Sequence, residues 1–201
     1  MKQQVVVIHG GRTFPTYEEY LHSLKTREIT AEKFKLQKDW KESLQNELGE
    51  EFEVFNPKLP NGNNAVYEEW KIWFERMLGF LGDNAVLIGQ SLGGIFLVKY
   101  FSENTFSKKI ASLMLVAAPF DGEGLNGPIT GFELPASLEN ISAQVQNIRL
   151  IFSAGDPVVP FLHMSKYKKA LPNAVEMEFS DREHFNQPSF PELIEIIRNK
   201  A

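Results

Sequence analysis

The segment Ala85-Val86-Leu87-Ile88-Gly89-Gln90-Ser91-Leu92-Gly93-Gly94-Ile95-Phe96-Leu97-Val98 joins two apolar runs through a short turn built on glycine and serine. Its centre, Gly89-Gln90-Ser91-Leu92-Gly93, has the spacing G-x-S-x-G. That spacing suits a strand that reverses sharply into a helix and leaves one side chain at the apex. The residues two before and two after the serine must be tiny, because strand and helix pass close together there and glycine has no Cβ to clash. The bare pattern arises by chance in roughly one chain of this length in fifteen. The flanks give it weight. Ala85 to Ile88 reads as a short, fully buried strand. Ile95 to Val98, with Tyr100 and Phe101, is apolar nearly all round, as a central buried helix must be. The bland alternative, a Gly-Ser turn without chemistry, has no need of such flanks.

Outward from this turn, Val5-Val6-Val7-Ile8, Leu113-Met114-Leu115-Val116 and Ile148 to Phe152 are further buried-strand runs. Phe52-Glu53-Val54-Phe55 and Val175-Glu176-Met177-Glu178-Phe179 carry glutamates and are expected at the sheet edges. Helical patterns lie between the runs. Thr16 and Glu19 form a capping box before a helix whose face carries Tyr17, Tyr20, Leu21 and Leu24. A second helix is expected after Thr30, with Leu36, Trp40, Leu44 and Leu48 in register and Gly49 as its stop; Lys33, Lys35, Lys38, Lys41, Glu42 and Glu47 then form a solvated face. Asn64 is expected to cap a third helix with an apolar stripe from Val66 through Trp70, Trp73, Phe74, Met77, Leu78 and Leu81, ending at Gly82. Pro160 begins a later helix, and Ser189-Phe190-Pro191-Glu192 caps the last one.

Strands and helices therefore alternate throughout. The fold expected is α/β: a three-layer sandwich with a mostly parallel six-stranded sheet of order 2-1-3-4-5-6 and helices on both faces. That order reverses direction between the first and third strands, and ligands bind at such switch points beyond the carboxyl ends of the strands. Ser91 and the His9-Gly10-Gly11 turn both fall there. The 201 residues are read as a single domain, 1–201, with 118–148 as a short cap-like loop rich in glycine and proline.

Composition narrows the classes. Hydrophobic content of 43% and charged content of 23% are ordinary for a soluble globular protein. A net charge of −5 argues against nucleic acid as a partner. The absence of cysteine excludes disulfides, thiol catalysis and zinc-thiolate sites. The apolar run after Met1-Lys2-Gln3-Gln4 is too short for a signal peptide, and no run approaches a membrane span, so the expected location is the cytoplasm.

If Ser91 is a nucleophile, a base must take its proton, an acid must orient that base, and two backbone N–H groups must hold an oxyanion. The base is expected at His184, in a loop at the end of the last strand; His22 and His163 read as surface residues and His9 as shaping its turn. The acid is expected at Asp156, in Gly155-Asp156-Pro157, with Asp121 as the fallback and Asp181 close in sequence to His184. The N–H groups of Leu92 and Gly11 are the expected oxyanion donors. Arg12, with Phe120 and Phe132 of the 118–148 loop, are the candidate substrate-binding residues.

Over nearly its full length the chain resembles an α/β-hydrolase. Ser91, Asp156 and His184 match that family's triad positions, and His9-Gly10 matches its oxyanion loop. In size, and in starting directly at the oxyanion strand, it is similar to the small serine hydrolases related to retinoblastoma-binding protein 9. The segment from Arg12 to Leu48 departs from that pattern and adds a helix near the site entrance. The expected activity is cleavage of a small carboxylic ester, thioester or amide through an acyl-enzyme on Ser91, without metal or cofactor, with a small acyl compound as partner. A silent binding protein of the same fold, or acyl transfer to an acceptor other than water, stays open at this point.

Overall fold

Val5 and Val7 project to one side of their strand and Val6 and Ile8 to the other, yet all four are fully buried. A strand with no polar face needs cover on both sides, which parallel sheets receive from crossover helices. The chain, in a computed structural model that describes residues 2–36 and 38–199, meets that need. Met1, Lys200 and Ala201, the ends of the expected 1–201 domain, lie outside the described residues, as does Gln37.

Six strands form one sheet: β1 (Gln3–Ile8), β2 (Phe52–Phe55), β3 (Ala85–Gln90), β4 (Ile110–Val116), β5 (Val145–Ser153) and β6 (Val175–Phe179). Their order is β2-β1-β3-β4-β5-β6, as expected, and every pairing is parallel. The two strands that carry glutamates are the edges, and Glu53, Glu176 and Glu178 are exposed there. The helices are α1 (Tyr17–Thr26), α2 (Trp40–Leu48), α3 (Tyr67–Leu78), α4 (Leu92–Glu103), α5 (Glu139–Gln144), α6 (Leu162–Ala170) and α7 (Pro191–Arg198).

Two apolar cores make the three layers. On one face Val6, Ile8 and Leu87 pack with α3, α4, α5 and α6. On the other Val5, Val7, Val86 and Ile88 pack with α2 and α7. The first core holds an aromatic cluster in which Trp70, Phe74 and Phe96 meet edge to face, with centroids 5.3–5.6 Å apart. Among the described residues no helix is long and apolar enough to cross a membrane.

Several local expectations are corrected. The second helix does not run on from Thr30. A single 3₁₀ turn occupies Ala31–Phe34, and α2 starts afresh at Trp40 with Asp39 as its cap, the Asp39 carboxylate accepting from the Lys41 N–H at 2.9 Å. Leu36 is consequently off the helix and 90% exposed. Gly49 does stop α2, at φ 85°. Thr16 caps α1 as expected, accepting from Glu19 N–H at 3.1 Å, but this helix buries none of its residues. The cap of α3 is Val66 rather than Asn64, and the helix ends at Gly79 rather than Gly82. Its buried face is Tyr67, Trp70, Phe74 and Leu78, so Val66 and Trp73 belong to the exposed side. Phe190, not Ser189, caps α7; Ser189 turns to Glu47, and Glu192 pairs with Arg182 at 2.5 Å.

Candidate active site

Ser91 stands between β3 and α4 at φ 52° and ψ −123°, a conformation that costs an L-residue roughly 1–3 kcal/mol. The helix behind it offsets this. Ile95, Phe96, Leu97, Val98 and Phe101 of α4 are fully buried, and each contributes about 1.5–3 kcal/mol. The tight approach is visible in the flanking glycines. A Cβ on Gly89 would fall 2.6 Å from the Gly93 carbonyl oxygen, and one on Gly93 would fall 2.6 Å from the His9 carbonyl oxygen. The next residue, Gly94, is equally confined, because a side chain there would collide with Ala118. The expected G-x-S-x-G turn is thus G-x-S-x-G-G in its packing.

Beside this turn lies the end of β1. His9 accepts the Leu59 N–H on Nε2 at 2.9 Å and donates from Nδ1 to the Gly10 carbonyl at 2.6 Å, which fixes the loop through Gly10 and Gly11. A Cβ at Gly10 would sit 3.1 Å from Ser91 Cβ, so the loop abuts the serine. Gly11 backs onto the Leu92 side chain, where its own Cβ would meet Cδ2 at 3.1 Å. Leu92 opens α4, and a helix's first N–H groups have no partner within the helix.

Asp156 follows the end of β5. Its Oδ1 accepts from the N–H groups of Val158 and Val159 at 2.7 and 3.0 Å, and the side chain is only 1% exposed. Its Oδ2 accepts from His184 Nδ1 at 2.8 Å. The two expected residues, 28 apart in sequence, are therefore brought together. Asp121 instead pairs with Lys166 at 2.6 Å, and Asp181 with Arg182 at 3.2 Å.

The loop that carries His184 is held by groups the sequence reading missed. Glu183 and Phe185, on either side of the histidine, both have positive φ, 45° and 55°. Gln90 Nε2 donates to the carbonyls of His184 and Phe185 at 3.0 and 3.1 Å, and Trp40 Nε1 donates to the Phe185 carbonyl at 2.9 Å. Lys41 donates to Gln90 Oε1 and pairs with Asp39, which orients the amide toward the loop. Burial lowers the Lys41 ammonium below its ordinary value of 10.5, against the pull of Asp39. A helix running on from Thr30 puts Lys41 on a solvated face, whereas α2, capped by Asp39, puts it in its first turn beside the cleft. Gln90 was legible as the variable residue of the turn itself.

Ser91, His184, Gly11, Arg12 and Leu92 all line one cleft of about 800 Å³. Leu125 to Ile129 form its opposite wall, tied across by a hydrogen bond from Thr13 Oγ1 to the Pro128 carbonyl at 2.8 Å. Within 118–148 the chain has no helix or strand before α5, and β5 begins at Val145. Phe132 and Phe120 do not line the cleft. Phe132 is fully buried among Trp70, Tyr67 and Phe96, and Phe120 lies against Tyr167 at 5.0 Å. Among the described residues no group of three or more His, Asp and Glu side chains is placed to hold a metal ion.

His163, expected at the surface, is fully buried. Its Nδ1 accepts from Phe120 N–H at 3.1 Å and its Nε2 donates to the Glu123 carbonyl at 3.0 Å, an arrangement that fits the neutral ring. Burial lowers both His163 and His9 below the ordinary 6.5. The unfolded chain then takes up protons that the folded chain does not, so their contribution to stability is complete above about pH 6.5 and declines as pH falls toward the folded values. Melting temperature is expected to drop from about pH 7 to pH 5, and His163→Gln to flatten that slope. An unchanged slope in the variant would assign the acid sensitivity elsewhere.

Among known proteins, the sequence profile of a family described as serine hydrolase matches residues 35–192. The chain is 27% identical over 150 residues to serine hydrolase RBBP9 of Rattus norvegicus, covering 74% of this chain and 77% of that protein. In fold it is similar to the ydeN gene product of B. subtilis, with a TM-score of 0.79 at 18% identity over 99% of this chain and 98% of that one. It is also similar to a carboxylesterase of the thaumarchaeon Nitrososphaera gargenis, with a TM-score of 0.61 at 13% identity over 98% and 89%.

Proposed function

Since this chain belongs to the serine hydrolase family and has the α/β-hydrolase fold, we propose that it cleaves a small carboxylic ester through an acyl-enzyme on Ser91. The observation that carries this reading is the Asp156–His184 pair, closed at 2.8 Å, whose histidine lines the same cleft as a serine at positive φ. In the proposed reaction His184 Nε2 takes the proton from Ser91 Oγ as the oxygen bonds to the substrate carbonyl carbon. Asp156 holds Nδ1–H, which leaves Nε2 free to accept and stabilises the imidazolium that forms. The N–H groups of Gly11 and Leu92 take the negative charge of the tetrahedral intermediate. His184 then protonates the leaving oxygen, and a water activated by the same ring releases the acid. The sequence of steps calls on no metal ion or cofactor. We place it in the cytoplasm on the cysteine-free composition, with a small acyl compound rather than nucleic acid or a bilayer as its partner.

The cleft supports a small acyl group. Tyr17 and Tyr20 of α1, which could have lengthened it, do not line it; Phe14 and Ser23 alone represent the segment from Phe14 to Thr26. The 125–129 wall offers Leu125, Pro128 and Ile129 but no long apolar channel. Turnover of acetyl, butyryl and palmitoyl 4-nitrophenyl esters tests this. Acetyl and butyryl esters are expected to give the higher kcat/KM, with no rise in rate at a lipid interface. A higher value for palmitoyl would refute the small pocket, and no turnover of any ester would refute the esterase reading.

A further inference from the structure

The protein carries 26 acidic and 21 basic residues, yet among the described residues no aspartate or glutamate lines the cleft that holds Ser91. Two cations do line it, Arg12 and Lys41. Their situations differ. Lys41 is nearly buried, with 11% of its side chain exposed, and its charge is matched by Asp39. Arg12 directly follows the expected oxyanion donor Gly11, its backbone pinned by bonds from its N–H to Gly62 O at 2.9 Å and from Ala65 N–H to its own carbonyl at 2.7 Å. The residue is exposed, and among the described residues no carboxylate pairs with its guanidinium. A third cation, Lys58, stands close enough that its charge disfavours protonation of the cleft residue His9. Asp156, the carboxylate that bonds to His184, is committed to that ring and to two backbone N–H groups. Uncharged hydroxyl and amide side chains, Thr13, Ser23, Asn63, Gln90, Asn126 and Asn186, add further polar surface. The molecule is negative as a whole, while the charged side chains that line this cleft are cations, and low-dielectric walls concentrate their field.

We propose that the cleft selects acyl substrates that carry a carboxylate of their own, held by the Arg12 guanidinium within a few bonds of the scissile carbonyl. An arginine presents a planar fork of donors that matches a carboxylate's two oxygens, and it stays charged at any working pH. A neutral ester of the same length leaves that fork in water and gains nothing from it. The inference rests on the serine-nucleophile reading above and narrows its substrate class.

Two matched pairs of esters test it, one for each side of the scissile bond. Mono-4-nitrophenyl glutarate against 4-nitrophenyl pentanoate places the carboxylate on the acyl side. 4-Carboxyphenyl butyrate against phenyl butyrate places it on the leaving group. For each pair the kcat/KM ratio of anionic to neutral ester is measured in the wild type and in Arg12→Gln, which cancels the intrinsic reactivity of the esters. In one pair the wild-type ratio is expected to exceed that of Arg12→Gln by roughly tenfold, and the excess to shrink as salt is raised. Arg12→Glu is expected to push the ratio lower still. Ratios unchanged by both variants in both pairs would overturn the proposal. A second readout needs no turnover: glutarate is expected to slow fluorophosphonate labelling of the wild type more than valeramide at equal concentration, and equal slowing counts against the proposal. Failure of the underlying reading looks different, since the wild type would then not label at all.

Discussion

Ser91→Ala is expected to remove ester turnover by on the order of 10⁶-fold while the protein melts within a few degrees of the wild type. The size of the effect follows from the division of labour in the cleft. With Ser91 Oγ gone, His184 and the N–H groups of Gly11 and Leu92 have no attacking atom to serve, and only binding and oxyanion stabilisation remain. The fold survives because serine and alanine meet the same backbone penalty at φ 52°. The hydrogen bonds that hold the apex are backbone bonds: Ser91 N–H to Val116 O at 2.9 Å, and Gly94 and Ile95 N–H to Ser91 O at 2.9 and 3.4 Å. Stopped assays on 4-nitrophenyl butyrate with a parallel thermal melt separate the two effects. Residual turnover near the wild-type level would place the nucleophile elsewhere.

Asp156→Asn is expected to cost about 10⁴ in turnover, through the tautomer of His184 rather than through loss of shape. The geometry dictates which way the new amide faces. Oδ1 of Asp156 accepts two N–H groups, from Val158 and Val159, so in asparagine the carbonyl oxygen must stay there. The NH₂ then replaces Oδ2, opposite His184 Nδ1. An NH₂ donates, so Nδ1 must accept, and the ring proton moves to Nε2, where it blocks uptake of the serine proton. Asp121→Asn and Asp181→Asn are expected to stay within a few-fold of wild type, because those carboxylates face Lys166 and Arg182. If Asp156→Asn kept full activity while either of the others collapsed, the acid would be misassigned.

The sheet was legible because each strand shows its burial in its composition. Central strands read as apolar runs, interrupted at Arg149 in β5, and edge strands carry glutamates, so both the order and the position of the turn at Ser91 followed from pattern alone. Asp156 and His184 were legible for a related reason. Each follows a strand, and parallel strands deliver the residues after them to one end of the sheet. What stayed hidden depends on contacts that no period encodes. The four-residue recurrence of Leu36, Trp40, Leu44 and Leu48 is met by a helix only from Trp40 on, because Asp39 caps a new start there. That one boundary moved Lys41 from solvent to the wall of the cleft. Phe132 looked like a pocket residue because its loop is irregular, and aromatic burial against Trp70 and Tyr67 drew it into the core instead. His163 looked like a surface helix residue, and two backbone partners from the 118–148 loop bury it.

The account stands on Ser91 as an activated nucleophile. A fluorophosphonate reacts with a serine only where a neighbouring base and oxyanion donors activate it, so adduct mapping tests that claim without knowledge of the natural substrate. The wild-type protein is expected to gain one adduct, which peptide mass spectrometry places on Ser91, and Ser91→Ala is expected to gain none. An adduct on another residue, or equal labelling of the two proteins, would contradict the account.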